Sequence, residues 1–132
     1  MVGRHVFAGY LAAQAVLGVV WWITLASSGT VRAGFELMGD HHAVMDAFVF
    51  ADVAVVVVGS AVSAAAIERG SAAAVPAVFF TAGGIVYPTL YLLGWVSFTG
   101  TGAPLLAAMF AVSTLTVWVA WQVWRGRAHL GR

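Results

Sequence analysis

Long apolar runs, separated by short clusters of charged and turn-forming residues, set the pattern of the chain. The first covers 6–27, between the Arg4-His5 pair and Arg32. At about 1.5 Å per residue it reaches roughly 33 Å, enough for a hydrocarbon core of about 30 Å. The second, 43–67, is interrupted by Asp46 and Asp52 and carries the block Val53-Ala54-Val55-Val56-Val57-Val58. Such β-branched residues are tolerated in a membrane helix, where the backbone has no water as an alternative partner. No charged residue occurs across 70–124. As one helix that stretch would be about 80 Å long, so it has to turn back. Thr99-Gly100-Thr101-Gly102-Ala103-Pro104 concentrates the helix breakers. A third helix is therefore expected over 72–97 and a fourth over 104–124. The pattern predicts an all-α membrane protein, a single integral domain over 1–132 built as a four-transmembrane-helix up-down bundle.

The start of the chain also has the outline of a signal peptide, with a short basic region, an apolar run and Thr24-Leu25-Ala26 as a cleavage site. The length of the run and the Trp21-Trp22 pair at its end favour a retained span.

Composition sharpens this reading. Of 132 residues, 62% are hydrophobic and 8% charged, against about 45–50% and about 25% in an average soluble domain. A soluble enzyme, a nucleic-acid binder and a disordered tail are excluded. There is no cysteine, hence no thiol exchange, thiolate metal site or covalent c-type haem. There is no lysine, hence no Schiff base to retinal or pyridoxal. Every full cation is an arginine. With both termini in the cytoplasm, Arg4, Arg69, Arg125, Arg127 and Arg132 lie inside and Arg32 outside, the order that the positive-inside bias favours. A bacterial cytoplasmic membrane is the expected location.

Candidate chemistry centres on Asp52. About nine residues into the second run, it is expected roughly 13 Å below the outer edge, near the middle of the bilayer. An intramembrane acid is costly and normally faces the bundle interior. No Arg lies within a span to neutralise it, so it is expected protonated or hydrogen-bonded to hydroxyls and water. At about 100° per residue, Met45, Gly59 and Ser63 share its face. Tyr87 is expected at the same depth on the third helix, with Tyr91 one turn on and Pro88 between them as a kink. Ser113, Thr114 and Thr116 reach that depth on the fourth. On the first, Tyr10, Gln14, Leu17, Trp21 and Thr24 form a semi-polar stripe. Asp52, Tyr87, Tyr91, Trp21, Gln14 and Ser113 would thus line a pocket for a mostly apolar ligand. Equally, the hydroxyls and tyrosines could satisfy one another and glue the helices together.

A second cluster, Asp40, His41, His42 and Asp46 with Glu36 upstream, lies where the first loop enters the second helix. His42 and Asp46, spaced i and i+4, could reach one divalent ion. The simpler alternative is Asp40 as a helix cap with the histidines at the water interface. No histidine lies within a span, so bis-histidine haem is not expected and no cofactor is assigned.

Length and span count suit the small multidrug-resistance transporters, whose first-helix glutamate has no counterpart here. The stretch 48–98 resembles the sigma-2 and emopamil-binding group in having Phe48 one turn before Asp52, an Arg69-Gly70-Ser71 hinge and Pro76 early in the next helix. That resemblance implies binding or isomerisation of sterol-like molecules by intramembrane carboxylates, with Asp52 as the one matched acid. This chain is shorter and has no acid in its first helix. Three functions follow as expectations: a binding protein or intramembrane isomerase for a lipid-like ligand, a proton-coupled transporter assembled as a homo-oligomer, or an accessory subunit of a membrane complex. Membrane lipids are expected partners and nucleic acid is not.

Overall fold

A computed structural model describes residues 3–35 and 42–127, with side chains placed from Asp46 onward in the second of these segments. Apart from short turns the described residues are helical, in the order α1 (Arg4–Ser27), α2 (Gly29–Phe35), α3 (His42–Asp52), a π-helix (Val53–Gly59), α4 (Ser60–Glu68), α5 (Ala74–Thr99) and α6 (Ala103–Arg125). α3, the π-helix and α4 run on as one rod, of which Asp46–Glu68 is apolar enough to cross a membrane. With α1, α5 and α6 this makes four helices of sufficient length and hydropathy to span a bilayer, at the positions the apolar runs predict.

Contacts between partners far apart in sequence fix the arrangement. Along α1 and the second rod, His5 meets Glu68, Gln14 meets Ser60 and Gly18 meets Val57, so these spans are antiparallel. Ser63 with Thr81 and Val55 with Gly84 make the second and third spans antiparallel. Thr89 with Ser113 does the same for α5 and α6. Tyr10 reaching Thr116, with the Phe7 ring edge-on to Trp118 at 5.7 Å, closes the bundle between α1 and α6.

The two short turns are built differently. α4 ends in a left-handed Gly70 (φ 63°), with Ser71 N–H on the Ala66 carbonyl (2.9 Å) and Gly70 N–H on the Ile67 carbonyl (3.0 Å). That is the Schellman pattern, which only glycine enters without a steric penalty. The α5–α6 turn is clasped by side chains instead: Thr99 and Thr101 hydroxyls lie 2.9 Å apart, and the Trp95 indole donates to Thr101 at 3.2 Å.

One element goes beyond the apolar pattern, which leaves the segment after residue 27 as loop. Ser28, extended at φ −130° and ψ 102°, breaks α1, and its hydroxyl accepts the Val31 N–H at 3.3 Å to start α2. Phe35 at the end of α2 packs edge-on against Trp21, centroids 4.7 Å apart. Arg32 donates to Asp46 at 2.7 Å and so fastens α2 to the second rod.

The apolar core sits in the half of the bundle that holds both described ends of the chain. Phe7, Ala8, Leu11, Ala64, Ile67, Ala74, Val78, Val119, Ala120 and Val123 form one buried cluster there. Lipid is as apolar as these side chains, so the gain comes from close van der Waals packing, and alanines allow it by letting backbones approach. Toward the other end burial thins on α1 and the second rod, while Thr89 and Leu92 of α5 stay buried. No described side chain from Asp46 to Gly59 is buried, and among the described residues of α1 beyond Ala15 only Leu25 is.

Between these halves, valines of the π-helix fill recesses at glycines. A Cβ at Gly84 would overlap the Val55 side chain, and one at Gly18 would lie 3.0 Å from a Val57 methyl. Gly84→Ala is therefore expected to destabilise the protein by about 1–3 kcal/mol, the range for overpacking a tight contact. Val55→Ala in the same chain should recover most of that loss in thermal unfolding in detergent. Additive losses would mean that the two positions do not meet.

Candidate functional site

Asp52 ends α3, at the point where the α-helix widens into the π-helix. Its carboxyl interacts with the indole N–H of Trp22 on α1. Gly59 and Ser63 instead approach Thr81 on α5, Ser63 at 3.1 Å. They do not share the face of Asp52, as uniform α-helical rotation predicts. The π-helix is the reason: each of its residues turns through less than the about 100° of an α-helix, so the face drifts along seven residues. Trp22 lies about a turn and a half from the end of α1, which places Asp52 in the half of the bundle away from the described chain ends.

The expected pocket residues separate into two groups. Gln14 and Ser113 belong to the sealed interior. The Gln14 amide donates to the Ser60 hydroxyl at 2.8 Å and accepts from Thr116 at 2.9 Å. Thr116 lies 2.9 Å from the Tyr10 hydroxyl. Ser113 lies 2.6 Å from Thr89, and both hydroxyls reach the Ile85 carbonyl, at 3.4 and 2.9 Å. They gather one residue past Gly84, whose carbonyl Pro88 deprives of its N–H donor. Among the described residues no buried side-chain nitrogen or oxygen lacks a partner. This interior is a set of satisfied hydrogen bonds, and it does not include Asp52.

Tyr87, Tyr91 and Trp21 lie outside it. The Val55–Gly84 contact puts Tyr87 level with Asp52, three residues further along each antiparallel helix. Yet Tyr87 is 75% exposed and Tyr91 47%, and among the described residues neither hydroxyl has a hydrogen-bond partner. Trp21 turns its ring to Phe35. The structure brings Asp52 to Trp22, a residue that in the sequence marks only the end of the first apolar run. Pairing α1 antiparallel to the second rod through Gln14 and Ser60 leads to Trp22 opposite Asp52, but polarity gives no prior sign that these two residues are in register.

Of the proposed metal pair, Asp46 accepts from Arg32. The His42 side chain, with Glu36, Asp40 and His41, lies outside the described residues. Among the described residues no three His, Asp or Glu side chains gather as a metal site would require.

Interhelical hydrogen bonds in membranes are worth about 0.6 kcal/mol on average and at most about 1.7. Gln14→Leu removes two of them, and an expected loss of about 1–2 kcal/mol should appear as a lower unfolding temperature in detergent. An unchanged temperature would show that the amide contributes nothing to holding the helices.

Compared with known protein families, with curated proteins and with solved structures, the chain matches none of them.

Proposed function

We propose that this is a cytoplasmic-membrane protein of bacterial type, with both termini in the cytoplasm, that binds a lipid-like or otherwise hydrophobic small molecule in the open half of its bundle. The orientation follows from the arginines, four of which among the described residues lie at the end holding the termini. The ligand reading rests on one observation: Asp52, paired with Trp22, stands on a stretch of the second rod where no described side chain is buried. An acid with a single aromatic donor beside it, in a loosely filled apolar surround, keeps lone pairs available for a ligand hydroxyl or amine. Proximity to the membrane core favours this further, because water competes poorly there.

In this reading Asp52 is the polar anchor, holding the ligand by a hydrogen bond or giving it a proton, and the Trp22 indole orients the carboxyl. Tyr87, level with Asp52 and with an unpartnered hydroxyl, and Tyr91 one turn away would contact the same molecule from α5. Gln14 and Ser113 act at one remove, by fixing the helices that carry these groups. A π-helix beside the acid suits such a site, since these wide turns recur where function re-aims a side chain.

Native mass spectrometry of protein extracted gently with its lipids tests the reading. A monomer or dimer with a reproducible small-molecule adduct is expected. Asp52→Asn should weaken the adduct by about ten-fold or more, since a hydrogen bond to a charged group contributes about 1.5–3 kcal/mol. Its fold should persist, because Asp52 takes no part in the interior network. An adduct equally retained by Asp52→Asn would overturn the assignment. A defined higher oligomer without adduct would instead favour a proton-coupled transporter, and co-purifying foreign chains an accessory subunit.

A further inference from the structure

Antiparallel order gathers the start of α1, the α4–α5 turn and the end of α6 at one end of the bundle. Arg4, Arg69, Arg125 and Arg127 are exposed there, and among the described residues none of them forms an ion pair. Glu68, the acid beside them, is already engaged through both oxygens by His5, at 2.9 and 3.0 Å. One of the guanidinium groups is also braced. Arg127 lies 4.2 Å from the centroid of the Trp124 ring and donates to the Trp124 carbonyl at 2.9 Å. Trp124 in turn stacks at 4.9 Å on the half-exposed Trp121. Arg4 reaches over Gly70 of the α4–α5 turn.

Tryptophans of this kind settle at the level of lipid head groups, which puts the arginines beside the phosphates. An orientation signal needs only positive charge, and lysine would serve. A planar guanidinium adds a fork of donors that matches two phosphate oxygens at once, and stacking on Trp124 holds one such fork in place before any ligand arrives. We propose that this end of the bundle is a recognition surface for the phosphate head groups of anionic lipids. Arg4 and Arg69 contribute from one side and the braced Arg127, with Arg125, from α6. The surface is separate from the Asp52 site, at the opposite end of the helices.

Native mass spectrometry after equilibration with vesicles of phosphatidylcholine alone, or mixed with phosphatidylglycerol, reads the preference directly. Wild-type protein should retain phosphatidylglycerol over phosphatidylcholine. Arg125→Gln with Arg127→Gln should reduce that preference by about five-fold for each charge removed, the scale of one basic residue at an anionic surface. Arg4 and Arg69 remain to keep the orientation bias. A second measurement needs no variant: raising salt from about 0.1 M to 1 M shortens the screening length from about 10 Å to about 3 Å and should abolish the preference. Equal retention of both lipids, a salt-independent preference, or a double variant that binds like wild type would overturn the proposal. Displacement of the lipid by inorganic phosphate at low millimolar concentration would also overturn it, in favour of a soluble phosphate anion.

Discussion

A primary amide in a hydrocarbon interior has to find all its partners within the protein, and Gln14 finds them on two different helices. It donates to Ser60 on α4 and accepts from Thr116 on α6, which in turn meets Tyr10 of its own helix, α1. In water such a network would add little beyond what solvent offers. In lipid the alternative is an unsatisfied polar group, so the network selects one arrangement of helices over others that bury the same apolar area. Thr89 with Ser113 and Ser63 with Thr81 extend the principle to the α5–α6 and α4–α5 contacts. The alanine-lined core around Leu11, Ile67 and Val78 fits because these bonds set the spacing.

Packing is unequal along the bundle. Where the chain ends meet the α4–α5 turn, small residues allow close contact and the core is continuous. Beyond the π-helix the second rod is fastened at its far tip, among the described side chains, through Arg32 on Asp46. A compact half that stabilises the fold is thus joined to a half with little burial on α1 and the second rod, where Asp52 lies. Local looseness of this kind goes with few buried contacts, and here that region holds Asp52.

Much of this was legible from residue order. Long apolar runs and the Thr99-to-Pro104 breaker cluster located all four spans, because hydropathy over twenty residues reports directly on the solvent. Of the expected inward stripe Tyr10, Gln14, Leu17, Trp21 and Thr24, the first two reach the interior network while Leu17 is exposed, because apolar side chains on a membrane helix are as well placed in lipid as in the core. The hydroxyls of Ser113 and Thr116 were legible, since a polar group in an apolar helix has few places to go. The partner of Asp52 was not. Depth counted from the edge of an apolar run assumes a uniform α-helix, and nothing in a row of valines announces a wider turn. Tyr87 lies level with Asp52, but whether it faces inward depends on helix rotation, which a uniformly apolar helix leaves unmarked. Likewise α2 depends on an extended Ser28 and on Phe35 meeting Trp21, contacts that appear only after the chain has folded.

The π-helix gives chain length a meaning apart from chemistry. Seven residues carry the rod between Asp52 and Ser60 while turning it less than an α-helix would, so the segment holds roughly one residue more than its height requires. Ser60 is pinned by Gln14 on one side of that segment, and the acid swings free of it on the other. Removing any one of the interchangeable valines would leave hydropathy and span length almost untouched. It would nevertheless rotate the upper rod by about a quarter turn or more and carry the carboxyl away from α1. The direction in which Asp52 points is thus encoded by a count of residues, not by the identity of any of them.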